Sequence, residues 1–151
     1  MIVVMKEGCL HVKMRKDFEE EHFQIYNIID RLREECERQY GSLYKASKIY
    51  GSHNLNKYLN TGATHLGIKM LVKLCKFLNI SLQYAVFGGV NNNYNEQEIT
   101  FNNFYREYKE CYKGNVDHLV YHAYWKKTMP LKYLIRVAKR SRKTIDFLIG
   151  G

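Results

Sequence analysis

The chain predicts an all-α fold, and three observations carry that expectation. Apolar residues recur at helical spacing in short segments, and Gly, Ser, Asn or Thr punctuate them. The stretch from Ser42 to Gly89 alone holds four such segments in sequence. A later stretch then repeats part of it at a constant offset of 63 residues. At 151 residues and 46% apolar content the chain is one domain or two small ones, with enough apolar material for a packed core.

Residues 1–16 read as an N-terminal arm. Their apolar runs around Lys6-Glu7-Gly8 suit a β-hairpin, an extended arm, a tail without fixed structure, or a start placed too early, with Met14 the first residue. The unit spanning 17–89 follows. Asp17 is a suitable N-cap, and Glu19, Glu20 and Glu21 suit the positive end of a helix dipole. Ile25, Ile28/Ile29, Leu32 and Cys36 mark the inner face of a helix ending near Gly41. Arg31, Arg33, Glu34, Glu35, Glu37 and Arg38 are expected to form its solvated outer face.

From Ser42 onward Leu43, Ala46 and Ile49/Tyr50 recur at helical spacing until Gly51, and Ser52 restarts the pattern with Leu55, Tyr58 and Leu59. A helix, a tight break and a second short helix are what a helix-turn-helix needs. The first helix braces the second, whose outer side enters the DNA major groove. Two more helices are expected over Ile68, Leu71/Val72, Cys75 and Leu78, then over Leu82 and Ala85/Val86. The run MLVKLCKFLNISLQYAVFGG resembles the last two helices of the lambda-repressor/Cro-like (XRE-type) helix-turn-helix family. LYKASKIYGSHNLNKYLNTG is similar to that family's helix-turn-helix, with Ala46 at its small brace-helix position and Leu55 and Tyr58 at its buried positions. The resemblance covers roughly Phe23 to Gly89 and implies a five-helix, lambda-repressor-like domain that binds DNA. The interval from Ala46 to Leu55 is shorter than usual, and extra residues lie around Thr61 to Thr64.

Residues 90–99 form a polar, Asn-rich linker, and 100–151 form a degenerate second copy. In it Leu131 aligns with Ile68, Leu134 with Leu71, Ala138 with Cys75 and Ile145 with Leu82. Val116 to Trp125 would be a second recognition helix, with Leu119, Val120 and Ala123 inward. Its Asp117, Tyr121 and Tyr124 suit base edges less, so this copy is expected to hold the DNA backbone or a partner and not to read sequence. Thr100 to Gly114 has room for one helix, through Phe101, Phe104, Tyr108 and Cys111, where the family has two. This truncated helix-turn-helix-like repeat is therefore expected to pack on the first copy or on a second subunit.

The net charge of +9 and the absence of acidic residues from Gly41 to Asn95 favour an anionic partner. Double-stranded DNA leads, because no basic segment carries the apolar face of a membrane-surface helix. In the first copy the outward candidates are Ser52, His53, Asn54, Asn56 and Lys57. Asn can pair with adenine, Lys can bond a guanine edge, and a helix N-terminus with its Ser can hold a phosphate. Lys45, Lys48 and Lys69 would add phosphate contacts. In the second copy Lys126, Lys127, Lys132, Arg136, Lys139, Arg140, Arg142 and Lys143 lie in a stretch without acids, several of them on one helical stripe suited to a DNA backbone. Against these stand plainer expectations: capping and solvation for Asn and Ser, a solvated face for the stripe.

His118 and His122 share a helix face at a spacing zinc can use, yet Cys111 is the one soft ligand nearby, so no metal and no cofactor is expected. Cys9, Cys36, Cys75 and Cys111 have neither metal nor redox spacing and read as reduced residues of a cytoplasmic protein. No phosphate loop, nucleophile motif or carboxylate pair points to an enzyme. The expected function is a bacterial or phage transcriptional regulator, repressor-like, working as a homodimer or as a pseudo-dimer within one chain. The alternative is a protein-interaction module such as an antirepressor, supported by the aromatic second copy; RNA binding is a third class.

Overall fold

Cap residues and left-handed stops divide the chain into short helices. The computed structural model describes residues 25–60, 66–113, 117–126 and 128–151, with the backbone alone at 53 and 54. The expected arm and the Asp17 cap lie outside these residues. Helix α1 covers 25–40, followed by α2 (Leu43–Tyr50), α3 (His53–Asn60), α4 (Ile68–Leu78) and α5 (Leu82–Phe87). After the segment 88–101 come α6 (Asn102–Cys111), α7 (His118–Lys126), α8 (Leu131–Ser141) and α9 (Ile145–Leu148). The described residues contain no strand, and the fold is all-α. None of their helices is long and apolar enough to cross a membrane.

The 63-residue offset is reproduced in backbone geometry. Helices α4 and α8 are both 11 residues long and end on left-handed residues at equivalent positions, Asn79 (φ 51°) and Arg142 (φ 59°). Ser81 and Thr144 are the equivalent N-caps of α5 and α9. Their hydroxyls accept from the amides of Tyr84 and Phe147, each three residues on. Among the described residues one contiguous core joins these helices: Ile28, Leu32, Leu55, Leu71, Cys75 and Ile80 from the first half share it with Phe104, Leu134, Ile135, Ile145 and Leu148 from the second. A four-residue helix such as α9 has no stability alone. Burial of Ile145, Leu148 and Ile149 holds it in place.

Helix α1 corrects one expectation, because its charged face is not simply solvated. Arg31 Nη1 donates to the Ala85 carbonyl of α5 at 2.7 Å, and Gln39 Nε2 donates to the Leu78 carbonyl of α4 at 2.8 Å. Arg33 donates to the Leu59 carbonyl of α3. The last carbonyls of a helix have no partner within it, so three side chains of α1 satisfy the ends of three other helices. Glu35 is 7% exposed and gathers Arg38 Nη2 at 2.6 Å, Gln39 Nε2 at 3.1 Å and the Tyr84 hydroxyl at 3.1 Å. Periodicity placed Glu35 outward because it is polar; the reach of Tyr84 from α5 covers it.

The two halves meet where α5 and α9 point their N-termini at one another. Leu82 N and Gln83 N of α5 both donate to the Asp146 carboxylate at 2.8 Å, while Ile145 N of α9 donates to Gln83 Oε1 at 2.9 Å. Gln83 and Asp146 are equivalent residues of the two copies, as are Leu82 and Ile145. The bond from Leu82 N to Asp146 therefore maps onto that from Ile145 N to Gln83 when the copies are exchanged, as a two-fold relation requires. Two positive helix ends face each other here, and the Asp146 charge offsets their repulsion. The segment 90–99 is pinned along this joint. Asn91 Oδ1 accepts from Ser81 N at 2.9 Å, Lys76 pairs with Glu96 at 3.1 Å, and Gln97 Nε2 donates to Asp146 O at 2.6 Å.

Asp146→Ala is expected to remove about 1–2 kcal/mol, read as a lower Tm in thermal unfolding, with Asp146→Asn in between; an unmoved Tm would show that the carboxylate is not bonded to α5. For Glu35, burial by itself raises the carboxyl pKa, and the hydrogen bonds from Arg38, Gln39 and Tyr84 outweigh it, so the net shift is below the ordinary 4.5. A lowered folded pKa gives stability that is present above the unfolded value and lost as pH falls through the folded one. Denaturant titration should show wild-type losing stability below pH 4.5, and Glu35→Gln should start lower at pH 7 but flatten that acid loss.

Candidate nucleic-acid interface

Helices α2 and α3 pack directly on one another around a turn at Gly51. Ser42 opens α2 by accepting from Lys45 N at 3.1 Å. The Ser47 carbonyl closes it by accepting both Gly51 N at 3.0 Å and Ser52 N at 3.3 Å. Gly51 has φ +85°, and a Cβ there would meet nothing within 4 Å. Glycine is required by the backbone conformation, not by crowding. Leu43 and Ala46 of α2 and Leu55 and Leu59 of α3 are buried, and Tyr58 is half-buried, which pushes its hydroxyl pKa up. Tyr50 meets Phe77 of α4 edge-on at 5.1 Å, and Tyr40 of α1 stacks on the same ring at 5.1 Å. With Arg33 holding the end of α3, the pair is fixed from both sides.

The outer surface of this unit is basic. Lys45, Lys48, Lys57 and Lys69 are exposed, and Ser52 and Asn56 are half-buried. His53 and Asn54 form the first turn of α3; their side chains are outside the description. Lys48 Nζ rests over the Tyr44 ring, 4.6 Å from its centre. Asn56 Oδ1 accepts from Asn60 Nδ2 at 2.6 Å. A two-bond pairing of Asn56 with adenine needs that oxygen, so Asn60 would have to release it.

The second unit spreads its candidates over two helices. Lys126 on α7 and Lys132, Arg136, Lys139 and Arg140 on α8 are exposed; so are Arg142 and Lys143, beyond the end of α8. Lys127 lies outside the described residues. The Arg140 guanidinium sits 4.6 Å from the centre of the Tyr112 ring. At the offset of 63 residues, Lys132, Arg136 and Lys139 correspond to Lys69, Lys73 and Lys76. Both copies thus carry the same exposed basic stripe, and in α4 the Glu96 ion pair partly neutralises it. Lys73 and Lys76 were not singled out from sequence, although the repeat applied to the α8 stripe points to them.

Helix α7 turns Val120 and Ala123 inward and leaves Leu119 65% exposed, against the expectation that Leu119 is core. Its inner face is narrow because Tyr121 and Tyr124 take the flanks. Tyr105 of α6 stacks on Tyr124 at 4.5 Å and meets Tyr121 edge-on at 5.1 Å. Burial, then the hydrogen bond with Tyr121, pushes the Tyr105 hydroxyl up to about 12. Tyr108 Oη accepts from Asp117 N at 2.7 Å, and Asp117 Oδ1 caps Leu119 N at 2.9 Å. That leaves Asp117, His118, Leu119, His122, Trp125 and Lys126 outward, with Trp125 76% exposed. Cys36 and Cys75 are free and buried. Burial pushes the Cys36 thiol up to about 11 and Cys75 well above the usual thiol range, so neither forms a reactive thiolate near neutral pH.

Comparison with protein-family models, with curated proteins and with solved structures finds no match for the chain.

Gly51→Ala is expected to destabilise by about 1–2 kcal/mol through its left-handed backbone alone, measured by denaturant unfolding. Gly51→Asn should lose less, since Asn tolerates that conformation. Equal losses would mean that a clash, not the backbone angle, sets the cost.

Proposed function

We propose that the protein is a sequence-specific double-stranded DNA-binding transcriptional regulator, repressor-like and of bacterial or phage type, with a lambda-repressor-like first unit. The observation that carries this reading is the α2–Gly51–α3 pair, braced from behind and lined by Lys45, Lys48, Lys57 and Lys69 in a stretch without acids. Helix α3 would lie in the major groove with Ser52, His53, Asn54, Asn56 and Lys57 toward base edges, and the other lysines would neutralise phosphates. A basic, acid-free stretch that runs across successive helices suits an extended polyanion.

A second reading has one observation of its own. Leu119 and Trp125 are large apolar side chains left in water on α7, and such exposure also suits a protein-interaction module of the antirepressor kind.

Fluorescence anisotropy of the protein with random-sequence duplex across a salt series separates these readings. DNA binding predicts affinity falling steeply with salt, and Lys48→Ala or Lys69→Ala should each lower the log–log slope by about 1. Replacing Asn54, Asn56 and Lys57 by Ala should abolish preference at the bases that α3 contacts. Absence of binding at low salt would contradict the proposal, and a preference for single-stranded or A-form competitor would point to RNA.

A further inference from the structure

The joint between α5 and α9 has a consequence for what one molecule can contact. Its reciprocal caps relate Leu82 and Gln83 to Ile145 and Asp146 by exchange of the two copies. The relation extends along the chain, since α4 and α8 have equal length, equivalent N-cap positions at Gly67 and Pro130, and equivalent left-handed ends. Helix α6 plays the part of α1. It packs on α8 and α9, and Asn103 Nδ2 donates to the Phe147 carbonyl at 2.9 Å, much as Arg31 does to Ala85. Helix α7 precedes α8 as α3 precedes α4, and it packs on α6 through Tyr105, Tyr108 and Asn102. Between α6 and α7 the described residues contain no counterpart of α2.

We infer that the chain is a pseudo-dimer in itself: α7 is the counterpart of α3, and a single molecule contacts two unlike half-sites of one duplex, with Leu119 and His122 toward the second. The inference rests on the proposed DNA binding and adds its stoichiometry and a second contact helix. The occupant of the α7 face is duplex DNA because Lys126, Lys132, Arg136 and Lys139 are exposed on α7 and α8 and no acid lies between Asp117 and Asp146. Asp117 is spent as the cap of α7, where the helix dipole offsets its charge. The two groove-facing sets differ in chemistry. Asn and Lys of α3 suit hydrogen bonding to base edges, whereas the exposed Leu119 suits the methyl group of thymine.

The test selects sites for the full chain from a random-sequence duplex library and weighs the resulting complex by native mass spectrometry. The expected result is one chain on a duplex bearing two unlike half-sites about one helical turn (~10 base pairs) apart. Leu119→Ala with His122→Ala, both at exposed positions, should weaken binding about tenfold and erase preference in one half-site only. Asn56→Ala with Lys57→Ala should erase the other. Replacing thymine by deoxyuridine in the α7 half-site removes only the methyl and should reproduce the loss from Leu119→Ala. Two chains on a palindrome, or both half-sites indifferent to the α7 changes and to deoxyuridine, would overturn the inference and leave the DNA-binding proposal standing. No enriched duplex at all would remove both.

Discussion

Two helix N-termini brought nose to nose repel each other unless something negative or hydrogen-bond-accepting lies between them. Here the positions that answer this constraint are Gln83 and Asp146, each serving the helix of the opposite copy. Around them α5 receives its remaining caps from Ser81 and Asn91, so the amides of residues 81–84 are bonded from three different parts of the chain. The segment 90–99 runs beside the joint and is bonded to both sides of it, and the buried Ile145, Leu148 and Ile149 make the two halves one core. The relative position of the units is therefore set by bonds and not by a free linker.

Inside the first unit a similar logic places the surface that matters. Helix α1 spends Arg31, Arg33 and Gln39 on the carbonyl ends of α5, α3 and α4. Those carbonyls would otherwise be left to solvent, and tying them down fixes three helices against a fourth. The Tyr40–Phe77–Tyr50 rings do the same for α2. A helix held at its end and a brace held at its back give α3 a defined presentation, which is what the proposed reading of a DNA groove would demand.

Much of this was legible in the sequence because short helices announce themselves through their stops. Gly51, Asn79, Gly88 and the Ser81 and Thr144 caps coincide with breaks in the apolar period, and the inward sets Leu71/Val72/Cys75/Leu78 and Leu131/Leu134/Ala138 are buried. The misses have one physical cause, which is that periodicity sees a residue's own helix and not its neighbour. Glu35 looks solvated until Tyr84 of another helix covers it, and Leu119 looks like core until Tyr105, Tyr121 and Tyr124 fill the inner flanks of α7. The exchange of caps between Gln83 and Asp146 is invisible for the same reason, though the repeat puts both at one equivalent position. Of the candidate interface, the lysines were legible as exposed charge, while the bond between Asn56 and Asn60 and the Arg140–Tyr112 contact depend on side-chain placement that no spacing encodes.

The central claim of the proposed function is that the α2–α3 surface takes part in binding DNA. Its most direct test is a two-dimensional amide NMR titration of the full chain with a short random-sequence duplex at low salt. The account predicts progressive shifts at Lys45, Lys48, Ser52, Asn56 and Lys57, with the amides of Leu82, Gln83 and Ile145 at the buried joint unmoved. Unchanged spectra, or shifts that leave α2 and α3 untouched, would contradict it.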